Sequence, residues 1–214
     1  NGENAVIIKL NKLSNKTYDI ISKDLLLALS EINDKEEFKT TIEEVLKICS
    51  GNIFFSDIYT RLIKDINDRF EGIEQLCLKM VKDYYDLFAS IRYLQDDSDY
   101  DLLCEINVEN EKRKAMGTFI SNLTLKGVLQ SDIMFNLISK LMDLIVEKTS
   151  KPSETKISEE IVENLFILVT VCLDTLKKQS EKLDNITGKM KQLLTSKVLS
   201  SKMTFKIMDI LDTI

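Results

Sequence analysis

Apolar residues recur every three or four positions along most of the chain, which is the spacing of amphipathic α-helices. The stretch from Ile106 to Lys148 shows it most clearly, because Asn107 can cap a first helix and Lys126-Gly127 breaks the pattern. A second helix, capped at Ser131-Asp132, carries an apolar stripe too broad for one neighbour to cover: Ile133, Met134, Leu137, Ile138, Leu141, Met142 and Ile145. The pattern predicts an αα-hairpin with further helices on both sides.

Similar amphipathic segments flank this hairpin, and residues that start or stop helices separate them. Asp34 followed by Glu37 resembles a capping box, while Gly51 and Gly72 mark breaks. Ten helices would form five pairs of roughly 43 residues, within the range of HEAT-type repeats. The sequence therefore predicts an all-α fold, a crescent-shaped α-solenoid of about five HEAT-type antiparallel helix pairs. A compact helix bundle is the alternative.

Two stretches interrupt the helical pattern. Leu94 to Glu105 is crowded with carboxylates and predicts an exposed, mobile loop. Thr149 to Lys156, with the only proline, predicts a second loop. The apolar run from Leu165 to Leu173 would also suit a buried strand, but a cap at Ser158 and the helical continuation favour a helix buried on both sides.

Composition adds a few limits. The chain has 214 residues with 44% hydrophobic content, enough for one elongated domain, and we expect residues 1–214 to be a single domain of a longer protein. Its four cysteines are scattered and no histidine accompanies them, which argues against a zinc site and predicts buried, reduced thiols: Cys49, Cys77, Cys104 and Cys172. No apolar run reaches the length of a membrane span.

The residues offer little for catalysis. No histidine exists for general base work, and no glycine-rich phosphate loop or nucleophile motif appears. Asp96, Asp97 and Asp99 could hold a metal ion in principle, but they lack the glycine and glutamate of an EF-hand loop. We therefore expect no catalytic residue, no metal and no cofactor.

The charge is uneven along the chain. The net charge is −6, yet the stretch from Lys177 to Lys206 holds eight lysines against Glu181 and Asp184. Such a patch could meet RNA phosphates, and its candidate RNA-binding residues are Lys189, Lys191, Lys197 and Lys202. The alternative is that these lysines simply lie on solvated helix faces.

Four short motifs resemble, in order, those of the middle domain of eukaryotic translation initiation factor 4G. Leu10-Asn11-Lys12-Leu13-Ser14 with Tyr18 is similar to its opening Leu-Asn-Lys-Leu-Thr-Pro and phenylalanine, and Phe55-Ser56-Asp57-Ile58-Tyr59 to its Phe-Ser-x-x-Tyr-Ala. Phe119-Ile120-Ser121-Asn122-Leu123 resembles Phe-Ile-Gly-x-Leu. Ser200 to Phe205 with Asp209 resembles the closing Ser-Ser-Arg-Ile-Arg-Phe and aspartate. Arg113 to Gly117 departs from the family's Arg-Arg-x-x-Gly-Asn, which indicates a divergent member. The bias toward isoleucine, lysine and asparagine would suit a virus or protist with an AT-rich genome.

The resemblance implies a non-catalytic, cytoplasmic scaffold of translation initiation. The family's domain binds a DEAD-box RNA helicase, initiation factor 4A, and holds its two lobes in an active arrangement. The helicase-binding residues would be Leu10, Leu13, Tyr18, Ser201, Lys202 and Asp209, although leucines at this spacing are also typical of a core. RNA and other initiation factors would be further partners, and we expect a monomer that binds no membrane. The alternatives are an adaptor of the same fold in messenger decay, splicing or poly(A)-binding-protein interaction, and an RNA-binding solenoid.

Overall fold

A computed structural model describes residues 1–96 and 98–214, and the regular structure in that part of the chain is entirely helical. Ten longer helices and one of four residues follow in the order α1 (Gly2–Leu10), α2 (Tyr18–Ser30), α3 (Lys35–Ser50), α4 (Ser56–Arg69), α5 (Ile73–Asp86), α6 (Tyr100–Leu125), α7 (Ser131–Thr149), α8 (Thr155–Val171), α9 (Leu173–Leu176), α10 (Ser180–Leu194) and α11 (Ser201–Thr213). Short 3-10 turns at Leu87–Ser90 and Pro152–Glu154 precede α6 and α8.

The longer helices form two layers. Helices α1, α3, α5, α7 and α10 belong to one layer, in which α1 packs on α3, α3 on α5 and α7 on α10. Helices α2, α4, α6, α8 and α11 form the other layer, and each packs on the next. One helix of each layer makes a pair, so five pairs follow one another along the chain. The predicted α-solenoid of five helix pairs is confirmed.

The central hairpin differs from the prediction in its packing. The two predicted helices exist as α6 and α7, but both pack more extensively against α8 than against each other. They therefore belong to successive pairs. Its first helix also begins earlier than expected, at Tyr100, where the Asp99 carboxylate accepts a hydrogen bond from the backbone N–H of Leu102 at 3.0 Å. The prediction of a loop through Glu105 and a cap at Asn107 was wrong.

Two other predicted caps were also wrong. Gln130, not Ser131, precedes α7, and it makes no side-chain cap. The last long helix of the central region, α8, begins at Thr155, so Ser158 lies inside it. The hydroxyl of Ser158 donates back to the carbonyl oxygen of Glu154 at 3.1 Å. A serine inside the first turns of a helix can therefore satisfy its hydroxyl without capping the helix.

The capping box at α3 is shared between two helices. Asp34 accepts from the backbone N–H of Glu37 at 2.8 Å, as predicted. Glu37, however, does not return the bond to Asp34. Its carboxylate accepts from the backbone N–H of Gly2 at 3.1 Å and so joins the start of α3 to the start of α1.

The break after α6 is a Schellman motif. Gly127 has a φ of 78°, a conformation that glycine adopts at little cost. The N–H of Val128 donates to the carbonyl of Leu123 at 3.0 Å, and the N–H of Gly127 donates to that of Thr124 at 3.1 Å. Val128 and Leu123 are both buried, so the motif also carries its usual apolar contact.

One hydrophobic core runs from Val6 in the first pair to Ile210 in the last. Three of the four cysteines contribute to it as free thiols, namely Cys49, Cys77 and Cys172. The fourth, Cys104, is exposed on α6, so the prediction that it is buried was wrong. No helix in the described part of the chain is long and apolar enough to cross a membrane.

Candidate partner-binding surfaces

The two leucines of the opening motif, Leu10 and Leu13, are buried in the core. Leu10, at the end of α1, has no exposed surface, and Leu13 is 6% exposed. The turn between them and α2 is fixed by Thr17, whose hydroxyl donates to the carbonyl oxygen of Lys12 at 3.0 Å and accepts from the N–H of Ser14 at 2.9 Å. The two leucines therefore position this turn, and its exposed residues are the ones available to a partner.

Tyr18 is also buried, at 3% exposure. Its hydroxyl donates to the Asp65 carboxylate at 2.5 Å, and the Arg61 guanidinium lies 3.8 Å from the centre of its ring. Burial, followed by the bond to Asp65, holds the pKa of Tyr18 well above its usual value. Arg61 also approaches Asp19 at 3.6 Å, and both side chains are mostly exposed. Arg61 and Asp19 thus form the outer layer over Tyr18, and we call Lys12, Asp19 and Arg61 the opening surface.

The closing stretch forms α11, the last helix. Ser200 caps it by accepting from the N–H of Met203 at 3.3 Å, and the same hydroxyl donates to Glu159 of α8 at 2.9 Å. Ser201, Lys202 and Asp209 are all exposed, as a binding role requires. The serine that fixes the helix is therefore Ser200, while Ser201 is free to face solvent.

Two lysines of α11 pair with two glutamates of α8. Lys202 lies 4.0 Å from Glu159, and Lys206 lies 3.4 Å from Glu163. The ammonium of Lys206 also lies 4.0 Å from the centre of the Phe166 ring, which adds a cation–π contact. The Lys202 side chain is more than half exposed, and an ion pair at such a position contributes about 0–1 kcal/mol. The two ion pairs align the two helices but leave the outer face of α11 open.

Phe205 is 64% exposed on that outer face. Met203, Ile207 and Ile210 form the buried stripe of α11, and a residue two positions from Met203 lies on the opposite side of the helix. Met208 is exposed beside it, at 44%. We call Lys202, Phe205, Met208 and Asp209 the closing surface.

The candidate RNA-binding lysines do not share one face. Lys189 donates to the hydroxyl of Ser139 on α7 at 3.0 Å. Lys191, two residues on, lies on the other side of α10, because residues at i and i+2 of a helix do not face the same way. Lys197 lies in the turn after α10, and Lys202 pairs with Glu159. Lys189 and Lys191 therefore face different sides of α10, and the RNA-binding role of the four lysines stays a prediction.

The acidic stretch shows no metal geometry in its described part. Asp96 accepts from the N–H of Ser98 at 3.0 Å, and Asp99 caps α6. Asp97 lies outside the described residues. Elsewhere in residues 1–96 and 98–214, no group of three or more acidic or cysteine side chains is arranged to hold a metal ion.

Two surface features were not predicted from the sequence. Ile53, Phe54 and Phe55 form an exposed apolar turn in which Phe54 is 93% exposed, and the Asn52 side chain accepts from the N–H groups of both phenylalanines at 3.1 and 3.3 Å. A cleft of about 760 Å³ lies between α3, α5 and α6. The ion pair of Glu43 and Lys79, at 3.6 Å, joins α3 to α5 at this cleft.

Comparison with known proteins yields a structural relative. No protein-family model matches the sequence, and no curated protein does. The structure is similar to the crystal structure of the MIF4G domain of Trypanosoma cruzi translation initiation factor EIF4G5, with a TM-score of 0.59 and 13% sequence identity over 99% of this chain and 94% of that one. At this level of identity the similarity establishes the fold. It is the helical solenoid that the ordered motifs lead one to expect.

Proposed function

We propose that the protein is a scaffold that binds a DEAD-box RNA helicase resembling initiation factor 4A, and that it acts in translation initiation. The observation that carries this proposal is the placement of the two surfaces on one solenoid. The opening surface lies on the first two helix pairs, and the closing surface lies on the last pair. A continuous core joins them. A partner with two lobes would therefore meet two surfaces held at a fixed separation.

A scaffold of this kind acts by differential binding. A partner whose lobes open and close will be biased toward the arrangement in which both surfaces are engaged, since only that arrangement gains both sets of contacts. The scaffold itself needs no catalytic group. We further propose that it works as a single monomeric domain in the cytoplasm.

The buried and exposed residues would have different roles. Leu10, Leu13 and Tyr18 would act by positioning the α1–α2 turn and the Arg61 side chain, because they expose almost nothing to a partner. Direct contact would fall to the opening surface at one end and to the closing surface at the other. Phe205 is the natural anchor of the closing surface, because aromatic residues, phenylalanine included, are enriched in the cores of protein interfaces.

The test measures helicase affinity by calorimetry together with RNA-stimulated ATPase activity, using an initiation factor 4A-like helicase. The variant Phe205→Ser/Asp209→Lys should weaken binding by about tenfold or more and reduce ATPase stimulation in parallel. Arg61→Glu, which changes the opening surface, should also weaken helicase binding and reduce ATPase stimulation. Asp143→Lys is the matched control, since Asp143 is an exposed aspartate on α7 in the opposite layer.

Melting curves establish that each variant remains folded. Absence of measurable binding by the folded wild type would reject the helicase scaffold and favour an adaptor of the same fold in another RNA process. Equal loss of affinity in the Asp143→Lys control would show that net charge, rather than the closing surface, governs the interaction. Binding of RNA alone with the same affinity as the helicase would favour the RNA-binding solenoid.

A further inference from the structure

The first half of α6 is mostly exposed to solvent. Between Tyr100 and Lys112 only Ile106 is buried, whereas the stretch from Arg113 to Thr124 supplies eight of the nine buried residues of this helix. The second half is thus packed in the solenoid, and the first half, which we call the α6 arm (Tyr100–Lys112), has a largely uncovered surface. Arg92, which precedes the arm in the chain, contacts it through its guanidinium, which donates hydrogen bonds to Glu105 and Glu109.

The uncovered face of the arm carries an apolar stripe. Tyr100 is 74% exposed and Val108 is 54% exposed, and Cys104, also exposed, lies between them. Residues four apart in a helix lie one above the other, so these three side chains share a face. Ile106, which is turned into the protein, lies on the opposite side. A helix that presents such a stripe to solvent has the pattern of a helix with a missing neighbour.

The charge around the stripe indicates the kind of neighbour. Between Asp99 and Lys112 the chain holds five carboxylates and a single lysine. Arg92 pairs with Glu105 and Glu109, and Lys114 pairs with Glu111, so five acidic groups face three basic ones and the arm keeps a net negative charge. Asp101 and Glu105 lie beside the stripe, and Glu111 lies in line with it at helical spacing. A second copy of the arm, a nucleic acid or an anionic membrane would all bring negative charge against negative charge.

We propose that the α6 arm is a docking site for a basic amphipathic helix of another protein, one that places an apolar stripe against Tyr100, Cys104 and Val108 and lysine or arginine against the flanking carboxylates. Apolar contact between the two stripes would supply the affinity, and the charge would select the partner and its orientation. This docking site is separate from the opening and closing surfaces, so it stands whether or not the helicase proposal holds.

Cys104 provides a reporter within the stripe. Its thiol is exposed, whereas Cys49, Cys77 and Cys172 are buried, so a small alkylating reagent should modify Cys104 first. A partner seated on the stripe would cover this thiol. The rate of Cys104 alkylation by iodoacetamide therefore measures occupation of the arm in the unmodified protein, and mass spectrometry identifies the modified residue.

The probe is a designed 21-residue helix with leucines at heptad spacing flanked by lysines, and its matched control has glutamates in place of the lysines. We expect the lysine peptide to slow Cys104 alkylation by about tenfold or more at saturation, and the glutamate peptide to leave the rate unchanged. Asp101→Lys/Glu111→Lys should abolish the protection. Tyr100→Ser/Val108→Ser should weaken it by about tenfold, which separates the apolar contribution from the charge.

Four outcomes would overturn the proposal. Equal protection of Cys104 by the glutamate peptide would show that charge does not select the partner. Full protection of Cys104 in the Tyr100→Ser/Val108→Ser variant would show that the apolar stripe does not supply the affinity. No protection of the wild type by the lysine peptide would show that the arm is not such a site. Protection that rises with protein concentration alone would assign the stripe to a second copy of the chain.

Discussion

The hydroxyl of Tyr84 on α5 donates a hydrogen bond of 2.9 Å to the side-chain oxygen of Asn164 on α8, in the interior of the solenoid. Asn164 in turn donates from its amide nitrogen to the carbonyl oxygen of Glu160 at 2.9 Å, which fixes the orientation of its amide. The bond spans 80 positions of the chain and links the two layers across neighbouring helix pairs. Gly117 of α6 lies beside it, and its lack of a side chain leaves room for the tyrosine.

We predict that Gly117→Ala destabilises the protein. A Cβ atom at this position would lie 2.8 Å from the Tyr84 hydroxyl oxygen, closer than such atoms approach. The buried tyrosine would have to move, at a cost of about 1–3 kcal/mol. Chemical denaturation measures the change. Gly188→Ala is the matched control, because α10 has open space there, and it should stabilise by about 0.5–1 kcal/mol. If Gly117→Ala leaves the free energy of unfolding unchanged, the side chains around Tyr84 can shift at little cost.

Tyr84→Phe should cost about 1–3 kcal/mol, because it leaves the buried oxygen of Asn164 without a donor. The measurement is again the free energy of unfolding in urea. Adding Asn164→Leu should cost much less than it does in the wild-type background, since the two residues share one bond. Additive losses in the double variant would show that the two side chains act independently.

The ion pair of Arg113 and Glu160 is poorly satisfied. The two side chains are 3.9 Å apart, with Arg113 only 5% exposed, and the Nε of Arg113 has no hydrogen-bond partner in the described structure. We predict that Glu160→Gln costs about 2 kcal/mol, because it leaves a buried cation with less compensation. Arg113→Met/Glu160→Gln should recover most of that loss in a melting experiment. If the double variant is less stable than Glu160→Gln, Arg113 stabilises the fold by packing rather than by charge.

Stability should fall in mild alkali. Burial raises the pKa of Cys77 and of Cys172 from 9.0 to about 12, because the thiolates would be desolvated. The stability that these neutral buried thiols contribute is complete below pH 9. It is lost between about pH 9 and pH 12, because thiols ionise in that range in the unfolded chain only. Each thiol should cost about 1.4 kcal/mol per pH unit within that window.

Urea denaturation at pH 7.5 and at pH 10 tests this prediction. Cys172→Ala is the control, since its cavity cost is the same at both pH values while its share of the alkaline loss disappears. An unchanged pH dependence in Cys172→Ala would show that other groups cause the loss.

The helical spacing of apolar residues was sufficient to predict the fold, but helix ends were harder. The acidic stretch before residue 105 was expected to be a loop because carboxylates crowd it. Carboxylates also favour the positive end of a helix, however, and Asp99 and Asp101 occupy that end of α6. Leu102 and Leu103, partly buried, were the signal that the helix starts there.

The candidate surfaces were less accessible from sequence. A motif that contains Leu10, Leu13 and Tyr18 resembles one of a known family, but only packing shows that these side chains are covered. Packing also shows that Arg61, distant in sequence, lies over Tyr18. The exposure of Phe205 could have been found, because Met203, Ile207 and Ile210 already define the inward stripe of α11. Ser200 both caps α11 and donates to Glu159 of α8. The second contact could not be predicted from the sequence, because Glu159 lies on another helix.

The pairing of α8 with α11 repeats after four residues on both helices, from Glu159 with Lys202 to Glu163 with Lys206. A displacement of α11 by one turn would place Lys206 beside Glu159 and keep one of the two ion pairs. Charge therefore supports the rotation of α11 that its buried stripe already sets, but it distinguishes poorly between successive turns along the helix axis. The position of α11 along its own axis therefore depends on the single hydrogen bond between Ser200 and Glu159 and on the packing of Met203, Ile207 and Ile210 in the core.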